Sequence, residues 1–567
     1  MRASQGVDIL ISALEICGVS TVFHGPCTDE LASYSGTRVR HVRACHEQGA
    51  GHAAEGYAMA TGEAGVCVVA AGPGATSLVT PVINAYKDST PLVAIVLDQY
   101  GRADERLADI SLAELAMSGI KHAFTVTEVS ELSVTIAEAF RLATAGRPGP
   151  VVVEIARAAL TGYGDVEWPA HRAPASAAPP PEALDAAARL IRESRRPVLY
   201  VGGGVQLAGA TAGLRALAEL TGAPVVTTLM ALGSFPGSHP QNLGMPGMHG
   251  SVAAVGALQQ ADLVVALGAR FDDRVTGQAS SFAPLARIVH ADIDESEISK
   301  IVKADVALPG DCGTTITGLL GLLARDGGDR ERLDPWWARL RALQRTYPLG
   351  YSAPEDGSLS PQYVVQTLGR LVGPEACYVA GVGQHQMWAA QFVSYEHPRT
   401  FINSGGLGTM GFAIPAAMGA SLARPGRQVW VIDGDGCFQM TGRELATCAR
   451  ERIPIKVAVI NNGGLGMVRQ LQDLFYSRRF HGSHLDSTRV PDLVAYAEAH
   501  GCAGLRCDRA EDVEAVVRKA EAFSDAPVVI DFVVSEDALV WPMVAAGTSN
   551  DDIKVARDLA PIWDRAD

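Results

Sequence analysis

Residues 429–467 read VWVIDGDGCFQMTGRELATCARERIPIKVAVINNGGLGM. A β-branched, apolar run predicts a strand over 429–432 that ends in Gly434-Asp435-Gly436. Thr441 and Glu444, three residues apart, predict a helix opening with a capping box. Pro454 closes that helix. A second strand over 457–460 ends in Asn461-Asn462-Gly463-Gly464. Strand, helix and strand in this order predict a right-handed crossover and a parallel pair. Both strands are hydrophobic without alternation, as expected when both faces are covered by helices.

The same rhythm recurs outward in both directions. Short apolar runs at 66–71, 93–97, 151–155, 198–201 and 263–267 alternate with helical patterns, so the expected class is α/β with doubly wound parallel sheets. At 567 residues the chain exceeds one core, and three domains are expected. Residues 164–182 (GDVEWPAHRAPASAAPPPE) are a Pro/Ala linker without periodicity. Pro348, Gly350, Pro354, Gly357 and Pro361 mark a second break. The expected domains are therefore 1–163, 183–345 and 358–545, with a C-terminal arm over 546–567.

Composition excludes several classes. Hydrophobic residues are 48% and charged residues 19% of the chain, which fits a compact globular protein rather than a disordered one. Forty-seven basic against 62 acidic residues give a net charge of −15, leaving no cation excess for sequence-independent nucleic-acid binding. The ten cysteines form no C-x-x-C pair and no zinc spacing, so they are read as reduced thiols. The N-terminus is amphipathic with Asp8 and Glu15 inside it, unlike a signal peptide. No apolar run reaches the roughly 18 residues of a spanning helix. The expected compartment is the cytoplasm, with no membrane partner.

Two adjacent parallel strands that end in Asp435 and Asn462, 27 residues apart, would deliver both side chains to one sheet edge, where such folds bind ligands. A carboxylate, an amide oxygen and a backbone carbonyl suit octahedral Mg²⁺, with phosphate and water completing the shell. The glycines at 434, 436, 463, 464 and 466 let backbone N–H groups approach a diphosphate. In the N-terminal part, HVRACHEQGAGHAAEGYAMATG (41–62) predicts a strand ending near Glu47, which opens a helix of small residues. An apolar setting there would disfavour the charged form of Glu47 and let it share a proton with a ligand; a simple N-terminal helix carboxylate is the bland alternative.

Asp435 followed by Asn462 is the thiamine-diphosphate (ThDP) signature, and the chain resembles that enzyme family. The stretches RACHEQGAGHAAEGYA, AAGPGATSLVTP, GQHQMWAAQF, SGGLGTMGFAIPAAMGA and NNGGLGMVRQ further resemble acetolactate synthase catalytic subunits. The resemblance implies ThDP, Mg²⁺ and FAD as cofactors. It implies Asp435 and Asn462 as metal ligands through their side chains and Gly464 through its carbonyl. Gln384 and His385 would touch the diphosphate, Met410 would bend the cofactor into its V shape, and Gly408, Leu465, Gly466 and Met467 would line it. Glu47 would face the aminopyrimidine, whose own amine supplies the base. In the family these halves meet across a subunit interface, which implies at least a homodimer.

In the middle of the chain, PVLYVGGGV does not complete G-x-G-x-x-G, because position 207 is Leu; this weakens a dehydrogenase reading. Instead GRPGPV, GMHG, GARFDDRVTG, ADID and PGDC resemble the FAD-binding parts of acetolactate synthases. The implied contacts are Arg147, Gly202, Gly203, Leu229, Gly247, Met248, His249, Gly268, Arg270, Asp272, Arg274, Asp292 and Asp311.

The departures from the family gather where substrate belongs. His24-Gly25-Pro26-Cys27-Thr28 stands where a Gly-Gly pair usually follows proline, and Leu107-Ala108-Asp109 replaces Phe-Gln-Glu of the activation loop. Leu471 replaces a tryptophan of the acceptor pocket, and Arg157 a lysine near its entrance. Cys27 at a helix start is either a reactive thiol or a small packing residue. The expected activity is decarboxylation of a 2-oxo acid, pyruvate first among them, and addition of the acyl carbanion to an acceptor carbonyl, with a specialised acceptor. Standard acetolactate synthesis for branched-chain amino acids and a ThDP-dependent decarboxylase or lyase stay open, as do a regulatory small subunit and dimer against tetramer.

Overall fold

A computed structural model describes residues 4–28, 37–98, 110–164, 177–324 and 330–563. Seventeen strands of three or more residues build three sheets among these residues, all of them parallel throughout. The first sheet contains β1 (Thr21–His24), β2 (Arg40–Arg43), β3 (Gly65–Ala70), β4 (Leu92–Leu97), β5 (His122–Val126) and β6 (Pro150–Ile155). The middle sheet contains β7 (Pro197–Val201), β8 (Val225–Thr227), β9 (Leu263–Leu267), β10 (Arg287–Asp292) and β11 (Val306–Pro309). The third contains β12 (Cys377–Ala380), β13 (Phe401–Asn403), β14 (Val429–Gly434), β15 (Lys456–Asn461), β16 (Ala503–Cys507) and β17 (Val528–Val533). Strands β3, β4, β14 and β15 are buried at every residue, which is why their sequences are apolar without alternation.

The first sheet runs β2-β1-β3-β4-β6-β5, and the third runs β13-β12-β14-β15-β17-β16. Numbered within each sheet, these are the same order. The two outer units thus share one winding although no repeat is visible in their sequences. In each, a helix of small residues follows the second strand: Glu47–Thr61 in the first and Ala413–Ala423 in the third.

These two helices pack face to face across the units. A Cβ on Gly56 would lie 2.0 Å from the Ala416 carbonyl oxygen, and one on Gly419 would lie 1.8 Å from that of Ala53. Small residues on both faces let the backbones approach, and Ala413–Ala423 is buried from 413 to 420. A helix apolar all round belongs inside a core, and one hydrophobic cluster accordingly spans both units, from Phe23 and Ala53 to Phe412 and Val457.

The middle sheet has order β8-β7-β9-β10-β11. The C-terminal segment lies along this unit: Gln278 N donates to the Thr548 carbonyl at 2.8 Å, and Trp563 sits beside Gly256. All ten cysteines are free and seven are buried, which fits thiols used as small core residues. Among the described residues no helix is long and apolar enough to cross a membrane.

Candidate functional site

Strands β14 and β15 are neighbours, with Gly434 opposite Ile460. Asp435 follows the end of β14 and starts the helix Asp435–Thr441; Asn462 follows the end of β15. A pocket opens between them. Its lining includes Gln384, His385, Met410, Gly434, Asp435, Gly436, Asn462, Gly464, Leu465, Gly466 and Met467. Gly408 is not part of that lining; it sits behind, in a left-handed turn facing Val382.

Asp435 is 1% exposed. Burial pushes its carboxyl up to about 6, against the pull of the Ser487 hydroxyl that donates to it. A carboxylate whose charged form is disfavoured by burial despite these hydrogen bonds is one that a cation would stabilise. The Asn462 side-chain oxygen accepts from Gly464 N at 3.3 Å, and its amide donates to Gln384 at 3.3 Å. A Cβ on Gly466 would stand 2.1 Å from the Gln384 amide oxygen, and one on Gly434 would stand 2.7 Å from the His385 ring. The floor of the pocket is therefore bare backbone, as a diphosphate requires.

Beneath it lies Asp433, fully buried and unforeseen in the sequence reading. Burial raises its carboxyl to about 8 and lowers His385, 3.6 Å away, to about 3. Burial thus disfavours the charged form of both partners under the pocket.

Glu47 is the first residue of its helix, which His46 caps by accepting from Gln48 N at 3.2 Å. Its side chain is 15% exposed. It is walled by Gly25, Val69 and Gly74: a Cβ on Gly25 would meet the Glu47 Cγ at 2.5 Å, and one on Gly74 would lie 3.5 Å from its carboxylate oxygen. The small, apolar setting is present, but one edge of the carboxyl stays open. No residue of the first unit lines the Asp435 pocket.

The capping box expected from Thr441 and Glu444 does not form. The helix already opens at Asp435 and ends at Thr441, and a second helix spans Glu444–Arg450. The Thr441 hydroxyl donates to the Gly411 carbonyl instead, and Glu444 accepts from Cys45 N and His46 N. Long-range amides outcompete the local one because Glu444 is buried against the first unit.

In the middle unit, Gly202, Gly268, Asp292 and Asp311 follow or end β7, β9, β10 and β11, four neighbours along one edge. Gly202 and Gly268 serve close packing, since a Cβ on Gly202 would be 2.1 Å from the Gly268 oxygen. Gly203, Leu229 and Met230 form the next turn, with Met230 3.5 Å from a Cβ on Gly203. Asp272 and Asp311 cap short and long helices through Arg274 N and Thr314 N. Arg270 offers its carbonyl to Tyr200, Met248 N reaches the Arg274 carbonyl across Gly247, and His249 is buried against the Pro542 carbonyl. Arg147 comes from the first unit to meet Asp294 at 3.3 Å and Glu297 at 3.4 Å.

With this geometry in place, three family descriptions match. They are "Thiamine pyrophosphate enzyme, N-terminal TPP binding domain" over residues 4–106, its central domain over 184–319, and its C-terminal TPP binding domain over 381–532. The chain is 54% identical over 579 residues to the acetolactate synthase large subunit of Mycobacterium tuberculosis, covering all of this chain and 93% of that protein. It is 50% identical over 574 residues to the large subunit of Corynebacterium glutamicum, covering 99% and 91%. To the chloroplastic acetolactate synthase 1 of Oryza sativa it is 41% identical over 571 residues, covering 97% and 87%.

The chain belongs to the acetolactate synthase family. It is an enzyme that uses thiamine diphosphate to form carbon–carbon bonds.

The family-divergent positions are placed unevenly. Cys27 is exposed and holds φ 62° in a turn, a backbone that glycine adopts without strain. Thr28 is fully buried; its hydroxyl donates to the Gly25 carbonyl at 3.0 Å and lies 3.3 Å from the His24 Nδ1. His24 in turn meets His41 at 2.7 Å. Leu471 lies on the helix Gly466–Phe475, 39% exposed. Arg157 opens the helix Arg157–Thr161. Leu107 and Ala108 lie outside the described residues. Sequence reasoning also passed over His41 and Ser487, which carry no local motif.

Proposed function

We propose that this chain decarboxylates a 2-oxo acid, pyruvate foremost, and joins the acyl unit to an acceptor carbonyl in a pocket remodelled from that of ordinary acetolactate synthases. The observation carrying the site assignment is the composition of the Asp435 pocket: every lining residue comes from the third unit, while Glu47 stands elsewhere. A complete site then needs Glu47 from a second copy, so the working form is at least a homodimer.

Asp435, Asn462 and the Gly464 carbonyl would hold Mg²⁺, an all-oxygen set suited to a hard cation. Gln384, His385 and the amides at 434–436 and 464–466 would hold the diphosphate. Leu465, Gly466, Met467 and Met410 would flank the cofactor, with Gly408 shaping the turn behind. Thiamine diphosphate supplies the carbanion and the electron sink for departing CO₂. Glu47 would hold a proton at the pyrimidine ring nitrogen, and closure of the interface excludes water that would quench the reactive carbon.

The carboxyl edge of the middle sheet would bind FAD, with Arg147 of the first unit, which reaches Asp294 and Glu297 beside that edge, contributing a cation. Arg147, Gly202, Gly203, Leu229, Gly247, Met248, His249, Gly268, Arg270, Asp272, Arg274, Asp292 and Asp311 would contact it there, a reading supported by Gly202, Gly268, Asp292 and Asp311 falling at or just beyond four strand ends. Two relatives are named large subunits, which supports a small partner subunit here.

The substrate reading rests on the departures in sequence at Cys27, Thr28, Leu107, Ala108 and Leu471. Incubation with ThDP, Mg²⁺ and pyruvate, alone and with a series of acceptor 2-oxo acids and aldehydes, tests it by product analysis. Ligation to a bulky acceptor in preference to pyruvate is expected. Efficient self-condensation of pyruvate with no preference for another acceptor refutes the remodelled pocket, and release of free aldehyde without ligation refutes the carboligase.

A further inference from the structure

Glu444 is buried to 1% exposure, carries no part of the pocket lining, and yet collects three donors. Its carboxylate accepts from Cys45 N at 3.0 Å, from His46 N at 3.1 Å and from the Thr447 hydroxyl at 2.9 Å. The two amides immediately precede Glu47. They point along the N-terminal end of its helix, where the dipole favours an anion, and hydrogen bonds to an ionised acceptor are the strong kind. Gly49 makes room: a Cβ there would stand 2.3 Å from the Glu444 carboxylate oxygen.

The grip extends beyond one side chain. From β2 the Arg40 guanidinium donates to the Glu451 carbonyl at 3.1 Å, and the Arg450 guanidinium donates to the Arg43 carbonyl. The helix Glu444–Arg450 therefore clamps the end of β2 and the start of the Glu47 helix. That clamp follows, after one short helix, from Asp435.

We propose that Glu444 is the positioning residue for Glu47 and that it links the two active sites of the dimer. The link rests on the reading above, in which Glu47 and Asp435 of one chain serve different sites. Within a chain, Glu444 joins the segment that grips one coenzyme to the carboxyl that addresses the other.

Mixed dimers carrying two different affinity tags test this. An E47Q chain paired with a D435N chain retains one intact site, and its activity is the reference. An E444Q chain paired with D435N keeps a site whose Glu47 comes from the chain with native Glu444; activity equal to the reference is expected. An E444Q chain paired with E47Q keeps a site whose Glu47 comes from the E444Q chain itself, where the new side-chain amide N–H₂ opposes a backbone N–H. There kcat is expected to fall roughly tenfold to a hundredfold with KM for pyruvate little changed, because misplacement of a reacting group costs that much.

The reverse pattern, or equal losses in both pairs, overturns the proposal, since Glu444 then acts on the Asp435 pocket or on the fold at large. No loss in either pair overturns it too. If the E444Q chain yields no mixed dimers, Glu444→Asp takes its place with the same readings. An inactive reference pair refutes the shared-site reading itself, independently of Glu444.

Discussion

Gly56 meets the carbonyl of Ala416 so closely that a Cβ on it would lie 2.0 Å from the oxygen. Gly419 has the reciprocal relation to Ala53, so each helix presents its glycine to the other's backbone. This contact ties the unit bearing Glu47 to the unit bearing Asp435 in one chain. Gly56→Val is expected to lower stability by about 1–3 kcal/mol or more, the cost of forcing bulk into a packed interior. Urea unfolding with probes in both units reads it; a midpoint unchanged from the parent contradicts the packing described.

Asp435→Asn removes the one carboxylate at the pocket mouth and keeps its shape. Mg²⁺-dependent coenzyme uptake is expected to drop by roughly two orders of magnitude, since carboxylate charge dominates hard-cation binding. Calorimetric titration of coenzyme with and without Mg²⁺ measures this. Equal affinity in the two proteins would remove Asp435 from the metal shell. The variant also loses a carboxyl raised by burial to about 6, so the metal-free protein should be no less stable near pH 8.

Three buried histidines resist protonation in the folded chain. Burial lowers His24 to about 3, His249 to about 4 and His385 to about 3, against 6.5 when unfolded. Below about pH 6.5 each of these histidines binds a proton in the unfolded chain that the folded chain refuses, so its contribution is full above that pH and is lost as pH drops toward 4. The buried carboxyls of Asp88, Asp433 and Asp435, raised to about 7, 8 and 6, act in the opposite sense. Each such proton contributes a slope of about 1.4 kcal/mol per pH unit. His24→Gln removes one of them, and on acidification from pH 6.5 to 4 its urea midpoint is expected to fall less, or rise more, than that of the parent. Parallel profiles for parent and variant would show that His24 charges freely in the folded state.

Much of this was readable beforehand, for physical reasons. Strands β3, β4, β14 and β15 are covered on both faces, so their sequences carry an unbroken apolar signal. Asp435 and Asn462 were legible because each follows such a strand directly. Glu444 was misread because its spacing from Thr441 satisfies a local rule, while its partners, Cys45 and His46, lie 399 and 398 residues away. Nothing local marks such a pairing. The shared strand order of the two outer units was equally invisible, since winding is set by which strands pair and not by residue identity.

Leu471 offers the sharpest test of substrate choice. It sits on the helix Gly466–Phe475, whose first residues line the Asp435 pocket, and it is 39% exposed in the single chain. Gln470 beside it is fully buried and is held by Val540 and Gln384, so the helix is anchored and a larger residue at 471 must extend outward, into the space that the proposed function gives to the acceptor. Leu471→Trp narrows that space without touching Asp435 or Asn462. The ratio of kcat/KM for a bulky acceptor to that for pyruvate as acceptor is expected to fall by roughly tenfold to a hundredfold, the discrimination that a few methylenes of pocket shape provide. Coenzyme affinity should stay as it was, which separates a narrowed pocket from a damaged one. A constant ratio would place the acceptor away from this helix and return the assignment to the turn of Cys27 and Thr28.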